Sequence, residues 1–382
     1  MMDSDLTDIY FARSFETVRG TLKQDVPVCY AVFCRSKGVL CGVSDVLDLI
    51  RRRCTGPIEV RGQSDGDAFR PCEVVMTLEG RFGELVTLES ELLGLLSLSA
   101  AAGEMSKIVD VADGVSVIDM AARHYPPEIA TRIAVAAAVG GGHGTSTSAG
   151  HADVHARFGI GGDQIRIGSR DPQPFGLYGS IPHALNAVYS GSSIDSAIAY
   201  RARFPDLPLT VLVDYEGREL DVCVEAVERF GDDLHAVRLD TAGSRVHEGG
   251  SDTTDRAMEM RILSQASDRH EAMAALERYG FGTGVTIEMV FRVRDLLNRL
   301  GARQTRIIVS GRFDLDKIRA FKACNAPMDA VGTGSWVKFG VFTSDIIRVH
   351  EAGQWTPRCK AGRRAELIER EELPLLLKQG SS

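Results

Sequence analysis

The sequence predicts an α/β fold, an irregular (α/β) barrel with an N-terminal α+β domain, and three features of its 382 residues carry that expectation. From Val115 onward, near-continuous apolar strand candidates alternate with amphipathic helices, the pattern of a parallel sheet covered by helices. Before that point, short alternating runs separated by Gly, Pro and Asp stand beside two stretches of helical periodicity. Near the C-terminal end, two consecutive βα units close in small residues, Ser310-Gly311 and Gly332-Thr333-Gly334, at the place where an α/β barrel usually seats a phosphate.

The first domain is expected over 1–113. Its strand-like runs are 26–35 and 68–85, and its helical stretches are 44–53 and 89–112, the second with Thr87 close to a plausible cap. The barrel domain is expected over 114–349, with strands at 115–119, 175–180, 210–214, 235–240, 306–311 and 328–334. Helices lie between them at 194–204, 219–230 and 287–301, and another starts near Asp314. The charged, partly helical segment 247–284 separates a strand from its expected helix and reads as an insertion, a lid or an interface arm. The tail 350–382, basic at Arg358, Lys360, Arg363 and Arg364, is expected to end in a short helix and to pack on the first domain.

Composition narrows the function classes. A hydrophobic content of 44% supports a sizeable core. No apolar run of transmembrane length is evident and the first residues are acidic and polar, so a soluble, cytoplasmic protein with no membrane partner is expected. The eight cysteines form no CxxC pair and read as reduced thiols. A net charge of −8 argues against nucleic-acid binding, so an anionic substrate must be held by a local cluster of Arg, Lys and backbone amides.

Five expected strands end in a polar residue: Asp119, Ser180, Asp214, Asp240 and Ser310. That is where a barrel places its chemistry, and five such ends in series predict a shared site. Gly311, Gly332, Thr333 and Gly334 are expected to cradle a phosphate, because small residues let backbone N–H groups and a helix N-terminus approach an anion.

Nine segments carry a family resemblance: LTDIYFARSFE, LESELLGLLSLSA, ARHYPPEIA, GGGHGTSTSAG, GSIPHAL, FPDLPLTVLVD, AVRLDTAGSR, IIVSGRFDLDKI and DAVGTGSWV. Over nearly its whole length the chain resembles the nicotinate phosphoribosyltransferases, most closely their shorter, archaeal-type branch with the type II phosphoribosyltransferase fold. It is similar also to nicotinamide phosphoribosyltransferase. The resemblance implies a homodimer, or a higher homo-oligomer, with active sites at the subunit interface. It also implies Mg²⁺-dependent transfer of a phosphoribosyl group from 5-phosphoribosyl 1-diphosphate to nicotinate, in the salvage route to NAD. In the nicotinate enzymes that transfer is coupled to ATP hydrolysis through a phosphohistidine.

By the same resemblance, His183 in GSIPHAL is the phospho-accepting histidine. Arg238 and Asp240 in VRLD look like the pair that touches the base and the ribose or metal, and Asp214 in LVD joins the Mg²⁺ and diphosphate network. Tyr10 resembles the aromatic that stacks on the base in the neighbouring subunit, and Arg123 the arginine near the ring and the phosphates. Ser146 falls where the nicotinamide enzyme has an aspartate; a hydroxyl there can donate to a carboxylate that an aspartate would repel, which favours nicotinate or a similar acid.

Three positions depart from the family pattern. Met120 replaces a phenylalanine, so one face of the ring meets a thioether. Arg312 follows Ser310-Gly311 where the family has a second glycine, and either adds a phosphate ligand or blocks a close backbone approach. His143 stands where many relatives have an acidic residue. These departures keep two other readings open: phosphoribosyl transfer to another aromatic acid or azaheterocycle, quinolinate among them, and a degenerate, non-catalytic relative that binds a phosphorylated metabolite.

Overall fold

The computed structural model describes residues 6–250, 253–370 and 372–380. Its central layer is a seven-stranded parallel sheet in the order Gly176–Leu177, Gly144–Thr145, Ser116–Asp119, Ala330–Thr333, Arg306–Val309, Leu234–Leu239 and Leu209–Leu212. The sheet curls into a half-barrel, as expected for an irregular α/β barrel. No backbone ladder joins its two edge strands among the described residues. The outer face packs on helices through one apolar core that includes Val117, Val211, Val237, Ile307 and Val331, all fully buried. Leu209–Leu212 is buried at every position, which is why it reads as a continuous apolar run rather than an alternating one.

A second, six-stranded antiparallel sheet runs Gln354–Pro357, Phe342–Glu351, Pro27–Cys34, Val74–Arg81, Ile58–Gly62 and Leu375–Gln379. Pro27–Cys34 is buried on both faces. One face meets helices Val43–Arg53 and Glu89–Leu96 through Val32, Ile50, Leu92 and Leu96. The other, which includes Cys29, Ala31 and Ile347, is covered by Cys359, Leu367 and Leu373. The C-terminal residues therefore complete a sheet that the N-terminal residues begin.

Four details differ from the sequence reading. Phe342–Glu351 pairs antiparallel with Pro27–Cys34, so residues 342–349, which the reading included in the barrel domain, form a strand of the other sheet. The tail ends in strand Leu375–Gln379, not a helix, because its apolar residues find an open edge on Ile58–Gly62. Segment 247–284 supplies helices Arg256–Gln265 and Arg269–Tyr279, whose Ile262, Ala272 and Leu276 are buried in the main core; it is part of the outer helical layer rather than a free lid. The stretch Glu89–Ala112 is helical and, by length and composition, apolar enough to cross a membrane. Its apolar residues are divided between two interiors, Leu92 and Leu96 in one core and Ala101, Met105 and Ile108 in the other, so burial inside the molecule accounts for them.

All eight cysteines are free thiols, as the spacing implies. Burial pushes the Cys29, Cys54 and Cys324 thiols up to about 12, well out of the reactive range.

Candidate functional site

A barrel interior is normally filled by branched apolar side chains. Here several inward-facing strand residues are small or polar, Ser116, Thr210, Arg238, Arg306 and Ala330, beside the branched apolar Ile118, Leu177 and Ile308. The concave face of the half-barrel is consequently open, as a cavity of about 650 Å³. It runs from the strand beginnings at Ser116 and Arg306 to the C-terminal mouth at Met120, Arg123, Ser146, Ser180 and Pro182.

Arg238 is the junction at that mouth. Its Nη2 donates to Asp240 Oδ2 at 2.7 Å, its Nη1 to Ser180 Oγ at 2.9 Å and its Nε to Ser310 Oγ at 2.9 Å. One guanidinium thereby joins two neighbouring strands to the 175–183 segment. The fork geometry of arginine satisfies three acceptors at fixed angles, which a lysine could not do. The Ser310 turn continues through Gly311 and Arg312, both left-handed at φ 88° and 58°. A Cβ on Gly311 would stand 3.2 Å from Asp240 Oδ1, so glycine lets this loop close on the carboxylate.

Asp214 lies beside this junction, at the end of the neighbouring strand. Its Oδ2 is 3.0 Å from His183 Nε2, while its Oδ1 is buried without a protein partner among the described residues. Burial raises the Asp214 carboxyl above its usual range, the bond with His183 opposes that, and the nearby Asp240 charge adds to it. His183 opens the short helix His183–Val188 after Pro182, with 45% of its side chain exposed. Its ring is 6.2 Å from that of Tyr215.

Asp119 does not join them. Its Oδ1 accepts from Ala121 N and Trp336 Nε1, and its Oδ2 from Thr145 Oγ1. Four of the five expected strand ends converge; the fifth is spent tying the Trp336 indole to the sheet. The turn at Gly332-Thr333-Gly334 is also filled from within. A Cβ on Gly332 would meet Met120 Sδ at 2.4 Å and one on Gly334 would meet His124 Cε1 at 2.4 Å. Thr333 Oγ1 donates to the Phe313 carbonyl at 2.5 Å. The expected open cradle is thus closed here by two side chains, because the room that glycine leaves is taken up by protein. The helix after the Ser310-Gly311-Arg312 turn, Leu315–Ala323, is already capped by Asp314, which accepts from Lys317 N.

Residues 8–99 match the family profile described as the N-terminal domain of quinolinate phosphoribosyl transferase. A nicotinate phosphoribosyltransferase of Mycobacterium tuberculosis is 25% identical over 284 residues, covering 72% of this chain and 49% of that protein. The chain spans about half the length of the curated relatives it matches. Among solved structures, nicotinate-nucleotide pyrophosphorylase from Pyrococcus furiosus aligns with a TM-score of 0.70 and 26% identity over 93% of this chain and 77% of that one. The chain is similar to the nicotinate and quinolinate phosphoribosyltransferases. The fold is shared with human nicotinic acid phosphoribosyltransferase, which aligns at a TM-score of 0.60 and 15% identity over 92% of this chain and 76% of that one.

Of the residues that the resemblance to nicotinate phosphoribosyltransferases singles out, Met120, Arg123, Ser146 and Arg238 line the cavity. Asp240, Asp214, His183 and Ser310 are linked to one another or to Arg238 at its mouth. Tyr10 is elsewhere: it lies on the outer helix Ile9–Val18, 58% exposed, in a groove with Tyr30 and Glu89. His143 is a packing residue whose Nδ1 accepts from Val117 N. Burial lowers its pKa, so the neutral, accepting ring is favoured.

Sequence reasoning missed Tyr178 and Tyr200, whose side chains line the cavity, and Arg306 at its inner end. Tyr178 had a signal, since it stands two residues before Ser180 on the same expected strand. Arg306 had none beyond its place at a strand start. Lys317 was also missed. Its Nζ lies 4.4 Å from the Phe313 ring centroid and donates to the Gly311 carbonyl at 3.4 Å, and burial pulls its pKa down to about 8.

Proposed function

We propose that the chain transfers the phosphoribosyl group of 5-phosphoribosyl 1-diphosphate to a pyridine carboxylic acid, nicotinate foremost, forming the mononucleotide and diphosphate. The observation that carries this reading is the Arg238–Asp240–Ser310–Ser180 junction at the mouth of a ring-sized cavity, with the His183–Asp214 pair beside it. The ring nitrogen attacks C1 of the ribose as the C1–O bond to diphosphate breaks. This needs alignment, exclusion of water and charge compensation more than covalent help.

Arg123 at the rim and Ser146 would meet the carboxylate, and Tyr178 with Met120 would flank the ring. The Ser310-Gly311-Arg312 turn would hold the 5′-phosphate, with Gly332, Thr333 and Gly334 reached when the Met120 and His124 side chains rotate. Mg²⁺ would be held by Asp214 and Asp240 and would supply charge compensation to the diphosphate; the buried, unpartnered Asp214 Oδ1 fits such a cation. In the ATP-coupled cycle His183 would take the γ-phosphoryl group. With Nε2 engaged by Asp214, its Nδ1 keeps a lone pair for attack on phosphorus while the ring is neutral.

A second reading has a specific observation behind it. Arg306 places another guanidinium in the same cavity as Arg123 and Arg238, which suits an acid with two carboxylates, such as quinolinate, reacting without ATP. One assay separates the two: purified protein with Mg²⁺ and 5-phosphoribosyl 1-diphosphate, offered nicotinate, nicotinamide and quinolinate, each with and without ATP. Product from nicotinate, stimulated by ATP in the wild type and not in His183→Ala, is the expected result. ATP-independent product from quinolinate alone would select the second reading, and no product from any of the three would overturn both.

A further inference from the structure

A second cluster of ligating side chains stands apart from the cavity. His151 and His155 are one helical turn apart on Ser148–Phe158, and their rings lie with centroids 4.3 Å apart, tilted by 41° to one another. Asp163, at the tip of the hairpin that follows, brings its carboxylate to them; one donor atom from each of the three residues lies within 4.8 Å of the others. We propose that His151, His155 and Asp163 form a binding site for a first-row divalent transition metal, zinc by preference, which staples this helix to the segment that carries Ser180 and His183.

Two imidazoles at i and i+4 with a carboxylate are a donor set for zinc and its neighbours, whereas Mg²⁺ takes oxygen. Ligand bonds of about 2.0–2.2 Å draw donors to roughly 3.4 Å from one another in a tetrahedral site. The observed separation closes to that by side-chain rotation, since Asp163 is exposed and both imidazoles are half-buried. Second, the Phe175 carbonyl lies 2.9 Å from His155 Nε2. A backbone carbonyl that takes the other N–H of a ligating imidazole is the usual means of fixing its tautomer and orientation. Third, the Asp163 carboxylate has no Lys or Arg ion-pair partner among the described residues, while its neighbours Asp153 and Arg157 are paired with each other.

The consequence reaches the mouth of the cavity through the backbone. Phe175 N donates to the Asp163 carbonyl, Gly176–Leu177 is the edge strand of the half-barrel, and Tyr178 and Ser180 follow directly. A metal held here would fix the hairpin and that edge strand together. The inference does not rest on the transferase reading, because binding is measured without turnover.

The test uses the full chain, purified without a polyhistidine tag and stripped by chelator, then titrated with Zn²⁺ against a chromophoric competitor and with Co²⁺ by visible absorption. One equivalent of zinc per chain is expected, with a Co²⁺ ligand-field band, a raised unfolding midpoint and slower proteolysis within 159–177. Asp163→Asn, which alters only an exposed carboxylate, and His151→Gln should each weaken zinc binding at least tenfold, in the range of about 10–100-fold, while remaining folded by circular dichroism. Excess Mg²⁺ should not displace the metal. Zinc binding that is equal in wild type and in a variant carrying both Asp163→Asn and His151→Gln, or no saturable binding at about 0.1 mM free zinc, would overturn the proposal.

Discussion

Arg238 holds three acceptors at once, on Ser180, Asp240 and Ser310, at sequence separations of 58, 2 and 72 residues. Arg238→Lys keeps the charge and loses the fork, so kcat/KM for the transferase is expected to fall roughly 100-fold while the unfolding midpoint moves little. Steady-state kinetics alongside thermal unfolding checks this; an unchanged rate would remove Arg238 from the site. Lys317 illustrates the opposite balance, a cation buried against Phe313 and Phe321 with its pKa brought down to about 8. A base with a depressed folded pKa destabilises the protein while charged, below about 8, and that penalty is relieved as pH rises from there toward the unfolded value of 10.5. Lys317→Met should therefore stabilise the protein at pH 7 by roughly 1–3 kcal/mol and flatten the rise in stability across that window. Denaturant unfolding at a series of pH values measures both effects.

At the scale of elements, the 24-residue helical stretch Glu89–Ala112 enters two cores in succession, and its first residue is under electrostatic strain. Burial lifts the Glu89 carboxyl to about 7, with the charges of Asp345 and Asp8 acting the same way. An acid with a raised folded pKa carries no penalty below its ordinary 4.5, an increasing one as pH climbs to about 7, and the full one above it. Glu89→Gln should raise the unfolding midpoint by a few degrees at pH 8 and leave it unchanged at pH 4, as read by scanning calorimetry. The helices of the 247–284 segment show why charge alone misleads: their exposed faces made the segment read as an appendage, while Ile262, Ala272 and Leu276 on their inner faces are buried in the main core.

For the whole molecule, the outer helix Ile9–Val18 buries no residue and, with Leu6 in the turn before it, leaves Leu6, Ile9 and Tyr10 exposed at 74%, 63% and 58%. Tyr10 lies outside this chain's own cavity; in the homodimer that the family resemblance implies, it would serve the partner's site. The prediction is a complementation: Tyr10→Ala and His183→Ala homodimers are each weakly active, and mixing them restores activity through hybrids that contain one intact site. Failure to complement under conditions of subunit exchange, or a monomer by light scattering, would argue against a shared site.

The alternation of strands and helices was legible in the sequence because each follows from local periodicity, and the polar strand ends followed from it: Asp214, Asp240, Ser180 and Ser310 do meet around Arg238 and His183. Only the tertiary structure decided that Asp119 is absorbed by Trp336, 217 residues away, and that Met120 and His124 fill the glycine turn at 332–334. It alone decided that His151 and His155 share a donor cluster with Asp163 across a hairpin. Period and propensity are properties of neighbouring residues, and the chain order carries them. Which side chain fills a given space depends on how the sheet curls and which loops close on it, and those contacts join residues whose separation along the chain encodes nothing of their distance in space.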